Sequence, residues 1–213
     1  MYGLYVITER WQNRSHAAVA RAALAGGART IQLRDKDLCV RDLVATAREL
    51  RQLCSEAGAM FIVNDRLDVA LAAQADGVHL GQEDLPVAEA RRALRGYERQ
   101  RFVVGVTVSS VEEAQRATGD GADYLGVSPI FSTGTKADAG EPIGLARLAE
   151  IRHAVSLPLV AIGGINAGNV AEVMRSGADG AAVISAVSRA NDMESAARRM
   201  AAIIQEMKHS RTS

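Results

Sequence analysis

Aromatic side chains are scarce in this 213-residue chain, 4% of the total, so its apolar core must be assembled from Val, Ile, Leu and Ala. That filling suits a parallel sheet covered by helices. Neither charge sign predominates. With 25 basic residues against 25 acidic ones, no global field draws the chain to nucleic acid or to an anionic membrane. Any phosphate binding must therefore be local. The two cysteines, Cys39 and Cys54, lack metal-ligand spacing, and Cys54 falls on the apolar face of a helix, where packing is its expected role. No apolar run approaches the length of a membrane span, and the N-terminus enters the strand-like Leu4-Tyr5-Val6-Ile7 without a secretory leader. A cytoplasmic location is the expectation. No Pro- or Ser-rich linker and no low-complexity stretch divides the chain, so residues 1–213 are expected to form a single domain.

Short apolar runs alternate with helical patterns along the whole length. The strand candidates are Leu4–Ile7, Thr30–Leu33, Met60–Val63, Gly77–Leu80, Phe102–Val106, Tyr124–Val127, Leu159–Ile162 and Gly180–Ile184. A helix from about Leu38 to Ala57 places Leu43, Ala47, Leu50 and Cys54 at helical spacing. The last helix carries one apolar stripe, Met193, Ala196, Ala197, Met200, Ile203, Ile204 and Met207, which is the pattern of a core face. Ser110 with Glu113 fits a capping box for the fifth helix. A faint repeat runs beneath this alternation. Gly27-Ala28, Gln74-Ala75-Asp76, Gly121-Ala122-Asp123 and Gly177-Ala178-Asp179 each precede a strand, and each interval holds two strand–helix units. Glycine there suits a helix that must end in a left-handed turn. Eight units without a seam predict a single (β/α)8 TIM barrel. An open doubly wound sheet would need a Gly-rich loop after the first strand, and none is there.

In such a barrel, function is built at the carboxyl ends of the strands. The polar residues concentrate at those positions. Gln32, Arg34 and Lys36 alternate at the end of strand two; Asn64 and Asp65 end strand three; Glu83 and Asp84 follow strand four. Thr107 and Ser109 end strand five, and Thr133, Thr135 and Lys136 lie in the long loop after strand six. Gly163 and Gly164 end strand seven, and Ser185 ends strand eight. Two phosphate sites follow. In the first, Arg34, Lys36, Lys136 and Asn64 gather around Asp65 and Asp84. Two hard carboxylates beside three cations suit Mg²⁺ shared with the phosphates of a substrate. The plainer alternative is that Asp65 and Asp84 cap the helices that follow them. In the second, Gly163-Gly164 and Ile184-Ser185 offer backbone N–H groups to a phosphate. A side chain at position 164 would intrude there. His79, between Val78 and Leu80, is expected to be a satisfied histidine in the core or behind the site, not a ligand.

Taken together, these residues resemble the thiamine phosphate synthase family. The resemblance rests on Gln32-Leu33-Arg34-Asp35-Lys36, Asn64-Asp65-Arg66, Gly77-Val78-His79-Leu80-Gly81-Gln82-Glu83-Asp84 and Pro129-Ile130-Phe131 with Thr133-Gly134-Thr135-Lys136. Ile162-Gly163-Gly164-Ile165 and the stretch from Gly177 to Ala186 complete it, so it spans strand one to the last helix. Resemblance implies that Gln32, Leu33, Arg34, Asp35, Lys36, Asn64, Thr107 and Lys136 hold a hydroxymethylpyrimidine diphosphate. It implies that Asp65 and Asp84 bind Mg²⁺, and that Thr133, Gly134, Thr135, Gly164, Ile184 and Ser185 hold a thiazole phosphate. Arg34, Lys36 and Lys136 would then stabilise the departing diphosphate as the two rings join. The chain departs from the family pattern at Thr107 and Ser109, where Ser and His are usual, and at Ser128, where Gly is usual. A related thiazole tautomerase would not need the diphosphate cluster or the Asp65/Asp84 pair. A non-catalytic phosphate-binding barrel would be expected to carry a disabled metal site. The expected partners are small-molecule substrates, with no nucleic acid or membrane, and homo-oligomerisation is left open.

Overall fold

The computed structural model describes residues 2–97, 102–134 and 140–212. Eight strands, β1 (Leu4–Thr8), β2 (Thr30–Leu33), β3 (Met60–Asn64), β4 (Gly77–Leu80), β5 (Val103–Val108), β6 (Tyr124–Val127), β7 (Leu159–Ile162) and β8 (Gly180–Val183), pair in parallel and in sequence order. Pairing of β1 with β8 closes the barrel. Helices alternate with the strands: α1 (His16–Ala25), α2 (Val40–Glu56), α3 (Leu67–Ala72), α4 (Val87–Ala93), α5 (Val111–Gly119), α6 (Gly144–Ala154), α7 (Val170–Arg175), a short α8 (Ser185–Ser188) and α9 (Met193–Thr212). The predicted (β/α)8 barrel is the observed fold.

Strand parity sorts the side chains. Leu4, Val6, Ile31, Leu33, Phe61 and Val63 belong to the large cluster shared with the helices, while Tyr5, Ile7, Ile62, Tyr124, Val160 and Ala182 form a separate inner cluster. This is the alternation expected when a barrel interior is packed with side chains and is not a pore. Cys54 is fully buried among α2's core residues, and burial pushes its thiol up to about 12, so it is packing as expected. In α9, Ala197, Met200 and Ile204 are buried, with Met193, Ile203 and Met207 packed against the cluster. Among the described residues no helix is long and apolar enough to cross a membrane.

The repeat has a physical role at the amino end of the barrel. Asp76, Asp123 and Asp179 each sit just before an even-numbered strand, and each accepts a backbone N–H from the preceding strand: Phe61 at 2.8 Å, Val104 at 2.7 Å and Leu159 at 2.9 Å. Each carboxylate is also paired with an arginine, Arg51 of α2, Arg91 of α4 and Arg152 of α6. An otherwise orphaned donor at a strand start is thus satisfied by a charged acceptor, a stronger bond than a neutral one. The fourth echo, Gly27-Ala28-Arg29, has no carboxylate; there Arg29 N–H donates to Leu4 O at 3.0 Å.

Two features differ from the sequence reading. β5 runs to Val108, because Thr107 and Val108 still pair with Gly126 and Val127 of β6. Thr107, expected at the end of the strand, is therefore held within it. The chain after β8 forms the extra helix α8 before Asp192 restarts it, accepting from Ser195 N–H at 2.9 Å ahead of α9. Ser110 does cap α5, accepting from Glu113 N–H, but the Glu113 carboxylate reaches Ser109 N–H and Oγ in place of Ser110 N–H.

Candidate active site

At the carboxyl ends of β2 to β5, a hollow of about 440 Å³ is lined by Arg34, Lys36, Asn64, Asp65, Asp84 and Thr107. Neither aspartate caps a helix. α3 starts without a side-chain cap and α4 starts only at Val87. Asp65 holds a left-handed backbone, φ 62°, with its N–H on His79 O at 2.8 Å. Aspartate tolerates that conformation better than most residues, and such positions concentrate at functional sites. Asp84 Oδ2 accepts from Gly81 N–H at 2.6 Å, closing the turn that brings its carboxylate back toward Asp65. Burial, and then the adjacent Asp84 carboxylate, push Asp65 up to about 6, against the pull of Lys36 and Arg34. The raised Asp65 carboxyl beside Asp84 marks a position where a cation would relieve the crowding of negative charge. Their oxygens fit a divalent cation held by two carboxylates and completed by substrate oxygens. Among the described residues no cluster of three or more acidic, His or Cys side chains that could hold a metal occurs.

The loop after β2 needs a correction. Leu33 is packed in the outer cluster, so its side chain takes no part in the hollow. Asp35 is also committed inside the protein. Its carboxylate, 5% exposed, accepts from Arg10 Nε at 2.7 Å, from the N–H groups of Asp37 and Leu38 at 2.9 Å each, and bonds His16 Nε2 at 3.0 Å. Burial alone would raise its proton affinity, but these partners overcome that and hold the carboxyl well below the usual carboxylate range. Asp35 therefore orders the segment that carries Arg34 and Lys36 and does not face a ligand. His16 Nδ1 continues this bracing to Thr8 Oγ1 at 2.8 Å, whose hydroxyl donates to Gln32 O at 3.2 Å.

A second hollow, about 330 Å³, lies across the mouth against Thr133, Gly134, Gly164, Ile184 and Ser185. Ser128 borders both hollows. Ser185 opens α8, the kind of short extra helix that completes a phosphate site in these barrels. Gly164 has φ 62°, and a Cβ there would meet Ser132 O at 2.6 Å and Phe131 Cβ at 2.8 Å. The expected intrusion thus falls first on the loop after β6, and the glycine is needed for packing between two loops as well as for any phosphate. Thr135 and Lys136 lie outside the described residues.

Beneath both hollows runs a chain of polar groups through the barrel interior. Gln32 Nε2 donates to Tyr5 Oη at 2.7 Å, Tyr5 Oη meets Tyr124 Oη at 3.1 Å, Tyr124 Oη meets His79 Nδ1 at 2.9 Å, and His79 Nε2 meets Thr107 Oγ1 at 3.0 Å. His79 is thus satisfied behind the site, as expected. Tyr5 and Tyr124 escape a reading of strand ends, because they sit one layer deeper. A signal for them exists in two strand glycines: a Cβ at Gly105 would fall 2.1 Å from the Tyr124 ring, and one at Gly126 would fall 2.8 Å from His79 Cε1. Glycine inside a strand marks such close approaches.

A closed (β/α)8 barrel with paired carboxylates and cations at one side of its mouth and a glycine-lined hollow at the other has the layout of an enzyme of that fold. The sequence profile of thiamine monophosphate synthase matches residues 4–187. The chain is 57% identical over 201 residues to the thiamine-phosphate synthase of Methanoculleus marisnigri, covering 93% of each, and 54% identical over 208 residues to that of Methanocella arvoryzae, covering 96% of each. The solved thiamine phosphate pyrophosphorylase of Pyrococcus furiosus superposes with a TM-score of 0.88 at 44% identity, over 96% of both chains. A 3-hexulose-6-phosphate synthase, at 18% identity and TM-score 0.67, shares the fold alone. The chain belongs to the thiamine monophosphate synthase family, a family of transferases.

Proposed function

We propose that the protein joins 4-amino-2-methyl-5-hydroxymethylpyrimidine diphosphate to a thiazole phosphate, carboxylated or not, releasing diphosphate, and CO2 as well where the thiazole is carboxylated, and forming thiamine phosphate. The observation that carries this reading is the division of the mouth. Arg34, Lys36, Asn64 and the Asp65/Asp84 pair line one hollow, Gly164 and Ser185 the other, and Ser128 borders both. The bond between the pyrimidine methylene and the diphosphate oxygen breaks, and a bond from the same carbon to the thiazole nitrogen forms. No protein nucleophile is required, because electron donation from the ring amino group supports positive charge on that methylene.

Each residue then has a role that follows from its position. Arg34 and Lys36, and by resemblance Lys136, stabilise negative charge as it grows on the departing diphosphate, which is where preorganised cations act most strongly. Asn64 and Thr107 orient the same group. Asp65 and Asp84 would hold a Mg²⁺ ion, which would supply further positive charge to that leaving group. On the far side, backbone N–H groups near Gly164 and Ser185, with Thr133, Gly134 and, by resemblance alone, Thr135, hold the thiazole phosphate so that its ring nitrogen faces the methylene. The gain is one of proximity and charge stabilisation. The test is diphosphate release by the purified protein with each substrate alone, with both, and with or without Mg²⁺. Release of stoichiometric thiamine phosphate and diphosphate only when both substrates and Mg²⁺ are present supports the reading. Turnover of the thiazole phosphate alone would point to isomerisation and overturn it.

A further inference from the structure

We infer that Gln32 and Thr107 are the two ends of one directional hydrogen-bond chain, transmitted by Tyr5, Tyr124 and His79, so that the face Gln32 turns to a ligand dictates whether the Thr107 hydroxyl donates or accepts. His79 is the positioning residue that carries the signal. The inference rests on the proposed reaction only for the identity of the ligand; the chain itself is a property of the protein.

The geometry leaves little choice of partners. All four links lie between 2.7 and 3.1 Å and join five strands of the barrel. Gly105 lies in register between His79 and Tyr124, and Gly126 opposite Thr107, so the two glycines clear the space that the two rings occupy. Burial raises both phenols well above their ordinary range, so each hydroxyl keeps its single proton. A neutral imidazole likewise has one N–H and one bare nitrogen. With one proton per link, only two arrangements satisfy every bond.

In the first, the Gln32 amide N–H donates to Tyr5, Tyr5 to Tyr124, Tyr124 to His79 Nδ1, and His79 Nε2–H to Thr107. The Thr107 proton is then left for the hollow. At the other end Gln32 Oε1, buried and without a partner among the described residues, is an acceptor. In the second, the amide is turned over and every proton points the other way: Thr107 donates to His79 Nε2, His79 Nδ1–H to Tyr124, Tyr124 to Tyr5, and Tyr5 to Gln32 Oε1. Gln32 now offers a donor and Thr107 an acceptor. A ring that presents an amino group to Gln32 selects the first arrangement, and with it a Thr107 hydroxyl free to donate to an anionic oxygen. A ring with an oxo group in that place selects the second and forfeits that donor. The chain would thus discriminate an aminopyrimidine diphosphate from its oxo counterpart at two places for one difference in the ring.

The experiment reads the His79 tautomer by long-range ¹H–¹⁵N correlation in the full-length protein. Gln32→Glu, read at a pH where the carboxyl ¹³C shift shows the new side chain ionised, replaces the amide with a group that only accepts, which forces the second arrangement. The expected result is a swap of the His79 N–H from Nε2 in the unmutated protein, bound to a 4-aminopyrimidine, to Nδ1 in Gln32→Glu. In a Tyr5→Phe background, where the chain is cut, Gln32→Glu should no longer change the tautomer. Should Gln32→Glu fail to fold, the same swap is expected in the unmutated protein when a 4-oxopyrimidine replaces the 4-aminopyrimidine. An unchanged tautomer, or an imidazolium with both nitrogens protonated, overturns the inference. No turnover is measured, so its failure leaves the proposed reaction standing, and failure of the reaction leaves the chain standing.

Discussion

Replacing Asp84 by Asn removes one of two carboxyl groups that crowd each other, and the apo protein should become more stable for it. Asp65 is raised from 3.8 to about 6, by burial first and by Asp84 second, with Lys36 and Arg34 opposing. The whole displacement corresponds to at most about 3 kcal/mol of cost in the ionised form. Burial survives the substitution, and solvent and the nearby cations screen the remainder, so about 1 kcal/mol is the part that Asp84→Asn returns. The bond from Gly81 N–H is kept, because the Asn side-chain oxygen still accepts. For a chain of this length about 1 kcal/mol is a rise in melting temperature of about 2–4 °C. The assay is thermal unfolding at pH 7 in EDTA, paired with carboxyl ¹³C titration of Asp65. The sign of the pH dependence follows. A carboxyl that is easier to protonate when folded stabilises the protein at low pH, and this contribution is lost as pH rises from about 4 through 6. The variant should lose less over that window. A melting temperature at or below wild type, with Asp65 still titrating near 6, would refute the reasoning.

Three further outcomes follow from the same contacts. Asp35→Asn should destabilise the fold at pH 7 by about 1.5–3 kcal/mol, the range for hydrogen bonds to a charged group; because the Asp35 carboxyl is held below its unfolded range, its contribution is present above about pH 4 and fades as pH falls further, so urea midpoints of wild type and variant should converge in acid. Gly105→Ala should destabilise by about 1–3 kcal/mol through overpacking against the Tyr124 ring, measured by urea unfolding, since a Cβ there falls 2.1 Å from that ring. Ser185→Ala should raise KM for the thiazole phosphate about tenfold and leave KM for the pyrimidine diphosphate near wild type, in steady-state assays of each substrate, if its hydroxyl contributes one bond to a charged group.

Much of the barrel was legible because each strand is a short apolar run bounded by polar punctuation, and Tyr124–Val127 or Leu159–Ile162 needs no tertiary information to be seen. Asp65 and Asp84 were legible as strand-end carboxylates for the same reason. What escaped depends on partners distant in sequence. The repeat reads as helix ends through its glycines, yet the work of its aspartates as caps for Phe61, Val104 and Leu159 appears only when the arginines Arg51, Arg91 and Arg152 fold over them. Tyr5 and Tyr124 meet across 119 positions. Asp35 was grouped with Arg34 and Lys36 because the family resemblance runs unbroken from Gln32 to Lys36. Parity already set it apart: Leu33 and Asp35 alternate with Gln32, Arg34 and Lys36, and only the second set keeps the phase of the barrel interior. The short helix α8 was hidden because Ser185–Ser188 is too brief to show a period, and the apolar stripe of α9 follows within one turn.

The central claim is that one barrel mouth holds two phosphate groups by different means, with a divalent cation required on one side only. Titration calorimetry of each substrate separately, in EDTA and in excess Mg²⁺, tests it most directly. Binding of the pyrimidine diphosphate should depend on Mg²⁺ and lose that dependence in Asp65→Ala, while binding of the thiazole phosphate should be the same in both buffers. Mg²⁺-dependent binding of the thiazole phosphate, with the pyrimidine diphosphate indifferent to the ion, would contradict the account.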